Sequence, residues 1–397
     1  MRTVIACFLA LGVGAAWGAG PADVTARVER LGNPLARRYP DGSAFHYART
    51  VSDLRAFDGK LYVGHGDIVL NSGPTDIWYY DLRKKEFVRQ GQIEDEAADH
   101  YRVIGGRLYL PGMDPREDWS LGNFYRLEGG RWVKHRTLPH SVHSSDIVGV
   151  GNTLFALSAR PKPPMCLLAS GDDGKTWKSY DAPAGYPRLG RRLFVLGGNL
   201  YVTAGDAAGD VRVYRFNGGG FDPCRGDMLP GAEVPPRDPP TSHSWSALER
   251  PTVFEGGLVY IGARHRVIFT EKDVNKAWPP YRTLGLFAAA PSGPTGLRAR
   301  RVLTGEELTD IATDGRRCYV VGFRWQSATD PRRGAVSTVF ASADLEHWSV
   351  LFSFRADTFA SALEVIDGDF YLGLGGTRTY CTPSTGMILK VGKEQLK

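Results

Sequence analysis

The chain has 397 residues, 42% of them hydrophobic and 23% charged, with a formal net charge of +6 and a pI of about 9.0. That balance excludes a disordered polyelectrolyte, and the basic excess is too small and too scattered to single out a nucleic-acid binder. Five cysteines in a chain of this length exclude a small disulfide-stapled scaffold.

The first element is not part of a fold. Arg2 is followed by an almost wholly apolar run over residues 4–17, with small residues at Ala16 and Gly18. This is the pattern of a secretory signal peptide over residues 1–18, and its apolar run is too short to span a bilayer. It implies a secreted protein, periplasmic or extracellular, with no membrane insertion. Cys7 leaves with the signal. Cys166, Cys224, Cys318 and Cys381 remain, their spacings match no zinc motif, and their pairing is left open.

From residue 51 onward one unit recurs: a glycine followed by an apolar–aromatic–apolar run. It begins at Gly59, Gly106, Gly151, Gly198, Gly257, Gly315 and Gly368, with steps of 47, 45, 47, 59, 58 and 53 residues. A period of that length marks the blades of a β-propeller. Each repeat divides into four short strands. Those of the first are expected at 51–57, 60–64, 76–82 and 86–90, and those of the second at 101–104, 107–110, 123–128 and 131–136. Glycine or Asp-Gly at the first turn supplies the positive φ of a tight hairpin, and tyrosine with β-branched residues fills the strands. Two insertions, 230–243 and 264–281, lengthen the fourth and fifth steps. The seventh repeat has strands at 362–366, 369–374 and 387–391 but no fourth. Residues 24–31 are expected to supply it, closing the ring and covering a bare sheet edge. The expectation is an all-β, seven-bladed propeller of four-stranded antiparallel blades, one domain over residues 19–397.

In the third repeat, Ser170-Gly171-Asp172-Asp173-Gly174-Lys175-Thr176-Trp177 resembles the Asp-box, or BNR repeat, of sialidases and other secreted propellers. Ser342-Ala343-Asp344-Leu345-Glu346-His347-Trp348 is a degenerate second copy. The resemblance implies a structural turn between the third and fourth strands, on the face opposite an active site. It covers the repeat and not a catalytic apparatus: Tyr101-Arg102-Val103-Ile104 lacks the proline of the sialidase motif, and seven blades exceed the sialidase six.

A propeller has two faces. Connections between blades and those joining second to third strands share one; the hairpin turns share the other. His46, His65, His100, His140, His143, His243 and His265 map to the loop face, leaving only His135 and His347 among nine histidines on the other. Loops on a rigid scaffold are where binding sites concentrate.

Three segments carry the chemistry. Asp99-His100-Tyr101-Arg102 offers a His/Tyr pair and a cation, as a polysaccharide lyase requires. His140-Ser141-Val142-His143-Ser144-Ser145-Asp146 offers ligands for a divalent metal near His140 and His143. Ser242 to Arg250 offers Glu249 as half of an acid/base pair facing Asp67 or Asp114. The catalytic candidates are therefore His100, Tyr101, Arg102, His143 and Asp146. The substrate-binding candidates are His65, Asp67, Asp114, Arg160, His243, Trp245, Glu249, Arg250, Arg264, His265 and Trp325. No other cofactor is implied. The expected function is a monomeric, secreted glycan-active enzyme, a polysaccharide hydrolase or lyase acting on an extracellular polysaccharide or oligosaccharide. The alternative is a non-catalytic carbohydrate- or protein-binding propeller or assembly factor.

Overall fold

The computed structural model describes residues 22–396, except 115, 161–164, 184–187, 206–210, 233–242, 268–280, 294 and 328–329. The expected signal peptide lies outside the described residues. No helix among the described residues is long and apolar enough to cross a membrane.

Seven antiparallel sheets form in chain order. Blade one comprises Asp53–Phe57, Lys60–Gly66, Thr75–Asp81 and Glu86–Ile93. Blade two comprises Arg102–Ile104, Arg107–Pro111, Leu121–Glu128 and Arg131–Pro139. The inner strands of the next four blades are His143–Val150, Arg188–Leu196, His243–Phe254 and Glu307–Thr313. Blade seven runs Ala360–Ile366, Asp369–Leu374 and Ile388–Val391, and its fourth strand is Glu29–Gly32 from the other end of the chain. Glu29 pairs with Lys390 and Arg30 with Leu389, so the ring closes as expected. A second tie was not anticipated: Ala22–Asp23 adds a parallel fifth strand to the outer edge of blade six, at Phe352 and Ser353.

The repeated apolar–aromatic–apolar strands do not alternate because both faces of every blade are covered. Leu61, Tyr62 and Val63 are all fully buried. One apolar cluster fills each of the seven blade interfaces; Tyr62 and Tyr101 meet between blades one and two, and Phe352 meets Phe370 between six and seven. These clusters hold the inner strands around a common axis.

The turn at Ser170–Trp177 locks itself. Asp172 accepts from the Lys175 and Thr176 amides and the Thr176 hydroxyl, at 3.2, 2.9 and 2.6 Å. Gly174 has φ 84°, and a Cβ there would sit 2.7 Å from Phe124 Cζ, so only glycine fits. Trp177 Nε1 donates to Thr137 Oγ1 and Gly174 O. At the degenerate copy, Asp344 accepts from the Glu346 and His347 amides, both at 2.8 Å.

Candidate functional site

All seven inner strands present an ionisable side chain near the axis: Asp53 and Arg55, Arg102, Asp146, Arg192, Arg250, Asp310 and Glu364. The carboxylates have a repeated task. Asp53 accepts the Tyr101 amide at 2.8 Å, Asp146 the Leu193 amide at 2.7 Å, Asp310 the Leu363 amide at 2.8 Å and Glu364 the Ala56 amide at 3.1 Å. Each thus satisfies an amide of the next blade, and the last of these bonds crosses the closure of the ring. Buried backbone donors need such partners. The triplets Ser52-Asp53-Leu54, Ser145-Asp146-Ile147 and Thr309-Asp310-Ile311 are the sequence signal for three of these positions. These triplets lie on the inner strands, whereas the glycine period marks only the second strands.

The arginines close the circuit. Arg102 grips Asp146 with two parallel bonds of 2.9 and 2.7 Å. Arg55 bridges Asp53 and Glu364 at 3.7 and 3.6 Å, and Arg250 lies 3.4 Å from Asp310. Arg250 itself has φ 54° at a bulge in its strand, and its guanidinium donates to the Ser52 carbonyl across the axis. Burial opposes the charge on Asp53 and Asp146, but Arg55, His100 and Arg250 for the first, and Arg102 with His100 for the second, hold both below the usual carboxylate range. Asp310 is less well served: burial pushes it up to about 6 against the pull of Arg250.

His100 stands inside this cluster, 7% exposed. Its Nδ1 is 3.4 Å from Asp53 and its Nε2 3.9 Å from Asp146, and neither nitrogen has a hydrogen-bond partner among the described residues. Burial, then the nearby Arg192 and Arg102, bring its pKa down to about 4, so the ring is neutral at physiological pH. Arg192 reaches Asp99 at 3.4 Å and the Ser145 carbonyl at 2.8 Å. The structure therefore brings His100, Arg102, Asp146 and Arg250 together, and adds Asp53, Arg192 and Asp310.

The other predicted residues lie elsewhere. Tyr101 is fully buried between blades, its hydroxyl directed to the Val63 carbonyl and its pKa pushed far up by burial, so it is poorly placed for proton transfer. His65 is buried too, and its Nε2 donates to the Asp76 carbonyl at 2.8 Å. Asp67 is clasped by Arg378, which also lies over the Tyr47 ring. Arg160 spans to Asp181 and Ser179 at the edge of blade three. Trp325 packs edge-on against Phe323, Phe359 and Tyr380. Glu249 is half-buried on the inner strand of blade five. On that blade Trp245 pairs with His265, Ser246 with Arg264 and His243 with Val267, and the side chains of His243, Trp245, Arg264 and His265 lie outside the described residues.

Asp114 and His143 meet a residue that was not predicted. Glu96, on the connection into blade two, joins them so that one donor atom from each lies within 4.8 Å of the others. His140 is exposed and stands apart from this group. Glu96 carries no motif, which is why the sequence did not reveal it.

A cavity of about 480 Å³ lies on the axis and is lined by residues of all seven inner strands, among them Arg55, Arg102, Asp310 and Glu364. It extends to the hairpin turns at Gly105, Gly151 and Thr313. This cavity is thus on the hairpin side of the ionic cluster, whereas the expected working face was the loop side.

No protein-family model and no curated protein sequence matches the chain. Solved structures do match in fold. A GH74 enzyme from Niastella koreensis is 12% identical with a TM-score of 0.51, over 83% of this chain and 51% of that one. The chain therefore spans about half the length of that enzyme. Hydrazine synthase of Kuenenia stuttgartiensis is 8% identical with a TM-score of 0.53, over 89% and 99% of the two chains. The β-propeller domain of the Trilobed protease from Pyrococcus furiosus is 8% identical with a TM-score of 0.50, over 82% and 91%. At these identities the likeness establishes the β-propeller and leaves the chemistry to the residues of this chain.

Proposed function

We propose that the protein is a secreted glycan-active enzyme whose reaction centre is the axial ionic cluster, with an acidic polysaccharide as substrate and β-elimination as the reaction. The observation that carries this reading is His100, a buried imidazole held neutral between two carboxylates, with both nitrogens unpartnered and arginines beside it. A neutral imidazole can take the proton from the carbon next to a uronate carboxylate. The C–H electron pair then forms the C=C bond as the glycosidic oxygen leaves with its bonding pair. Arg192 and Arg250 would neutralise the carboxylate as negative charge spreads onto it, and Asp53, 3.4 Å from Nδ1, would orient the ring and leave the Nε2 lone pair to take the proton. Tyr101 has no part in this version.

A second reading, a non-catalytic carbohydrate- or protein-binding propeller, is favoured by the Arg102–Asp146 and Arg378–Asp67 pairs, whose charges already neutralise one another. One experiment separates them. The protein is incubated with neutral, uronic and sulfated polysaccharides while reducing ends and the ultraviolet absorbance of unsaturated uronates are followed. We expect cleavage of a uronic polymer, and His100→Gln to lower kcat about 100-fold or more. Binding without cleavage across the panel supports the second reading. Cleavage that His100→Gln leaves intact removes the site assignment and keeps the function.

A further inference from the structure

We propose that Glu96, Asp114 and His143 form a binding site for a first-row divalent cation, Zn2+ or Mn2+, on the loop face between blades one, two and three. Two observations carry it. The first is the donor set: one imidazole nitrogen and two carboxylate oxygens from three separate segments lie within 4.8 Å of one another. Two metal–ligand bonds of about 2.1 Å span roughly 4.2 Å at most, so shifts of less than an ångström complete the geometry. The second is independent of proximity. Glu96 is 2% exposed, and its Oε2 has no hydrogen-bond partner among the described residues. A buried carboxylate oxygen without a donor is costly unless something binds it, and this carboxylate belongs to the cluster.

The backbone builds the site. The Glu96 amide donates to the Met113 carbonyl at 3.1 Å, the Asp114 amide to the Val142 carbonyl at 3.1 Å and the Ser144 amide to the Gly112 carbonyl at 2.7 Å. Met113 and His143 also form a β-bridge. Three segments distant in sequence are thereby fixed against one another before any ion arrives. Asp114 adopts φ 62°, a left-handed conformation that asparagine and aspartate tolerate better than most residues. Around the cluster the charge is negative. Asp114, Asp95 and Asp67 bear on Glu96 with charge of its own sign, and Arg116 opposes them. A cation relieves both the repulsion and the unmet oxygen.

The mixed set suits zinc or manganese better than an oxygen-only ion such as calcium. Three protein ligands leave at least one position for water or a ligand oxygen, and Asp114 and His143 are only half-buried, so that position is reachable. The site stands independently of the glycan reading.

The test uses tag-free full-length protein, stripped by chelator and dialysed. Zn2+, Mn2+ and Ca2+ are titrated separately by calorimetry, with thermal melting alongside. We expect one equivalent of Zn2+ or Mn2+ per chain, a rise in melting temperature on binding, and a weaker response to Ca2+. Glu96→Gln keeps the shape and removes the charge, and His143→Gln removes the nitrogen ligand. Each should weaken binding at least tenfold, with circular dichroism and the metal-free melting profile showing that the variant is folded. Absence of saturable binding by the wild type overturns the proposal. So does binding that both folded variants retain, since the ion would then sit elsewhere. Neither outcome bears on polysaccharide cleavage.

Discussion

The charge state of a buried histidine is decided by what its protonated form would lose. His65 donates Nε2–H to the Asp76 carbonyl, and burial lowers its pKa from 6.5 to about 4. In the unfolded chain it takes up a proton at the ordinary value. Between pH 6.5 and 4 the unfolded state therefore binds more protons, and stability falls as the pH falls. The contribution is whole above about pH 6.5 and lost on approach to 4, with a size of at most about 3 kcal/mol. His65→Gln can keep the bond to Asp76 and removes the titration. We expect its stability in urea to change less between pH 6.5 and 4 than that of the wild type, and parallel curves would refute the assignment. At this scale the sequence was partly legible. His100, Arg102, Asp146 and Arg250 were named from it and do converge. His65 and Tyr101 were named by the same face rule but turn inward, because a residue's place on a loop face does not say which way its side chain packs. Glu96 escaped notice because an isolated carboxylate has no pattern until the fold brings partners to it.

Among the elements, closure carries the most consequence. Residues 22–32 cross from blade six to blade seven, pairing in parallel with Phe352–Ser353 and in antiparallel with Ile388–Val391. Val24, between the two pairings, is fully buried in the cluster that joins those blades. Deleting residues 20–33 bares two sheet edges and opens that cluster. We expect the calorimetric melting temperature to drop by about 4 °C, taking a loss of a few kcal/mol, and light scattering to show self-association through the exposed strands. An unchanged melting temperature would show that the tie is dispensable. The antiparallel strand was foreseeable because blade seven ended one strand short. The parallel strand at blade six was not, since two residues carry no period.

For the whole molecule, stability comes from seven apolar interfaces and not from cross-links. The four described cysteines are all free; Cys166 and Cys318 are buried, and burial pushes the Cys318 thiol up to about 12 and those of Cys224 and Cys381 to about 11. Thiols so far from ionisation react slowly. Adding reductant should leave the melting temperature unchanged, and thiol reagents should count the cysteines fully only after denaturation; a clear fall with reductant would reveal a disulfide. The blade count, the four-stranded parsing and the two faces were all determined by the sequence alone, because hairpins are local and their turn glycines and aromatic strands repeat at a readable interval. Which charges meet was decided only by the tertiary structure. Asp67 finds Arg378 across 311 residues, Glu364 reaches Ala56 across the ring closure, and Glu96, Asp114 and His143 arrive from three segments. A period in sequence reports what each blade has in common, whereas an axial site is made from what differs between blades, and those differences acquire partners only when the circle is closed.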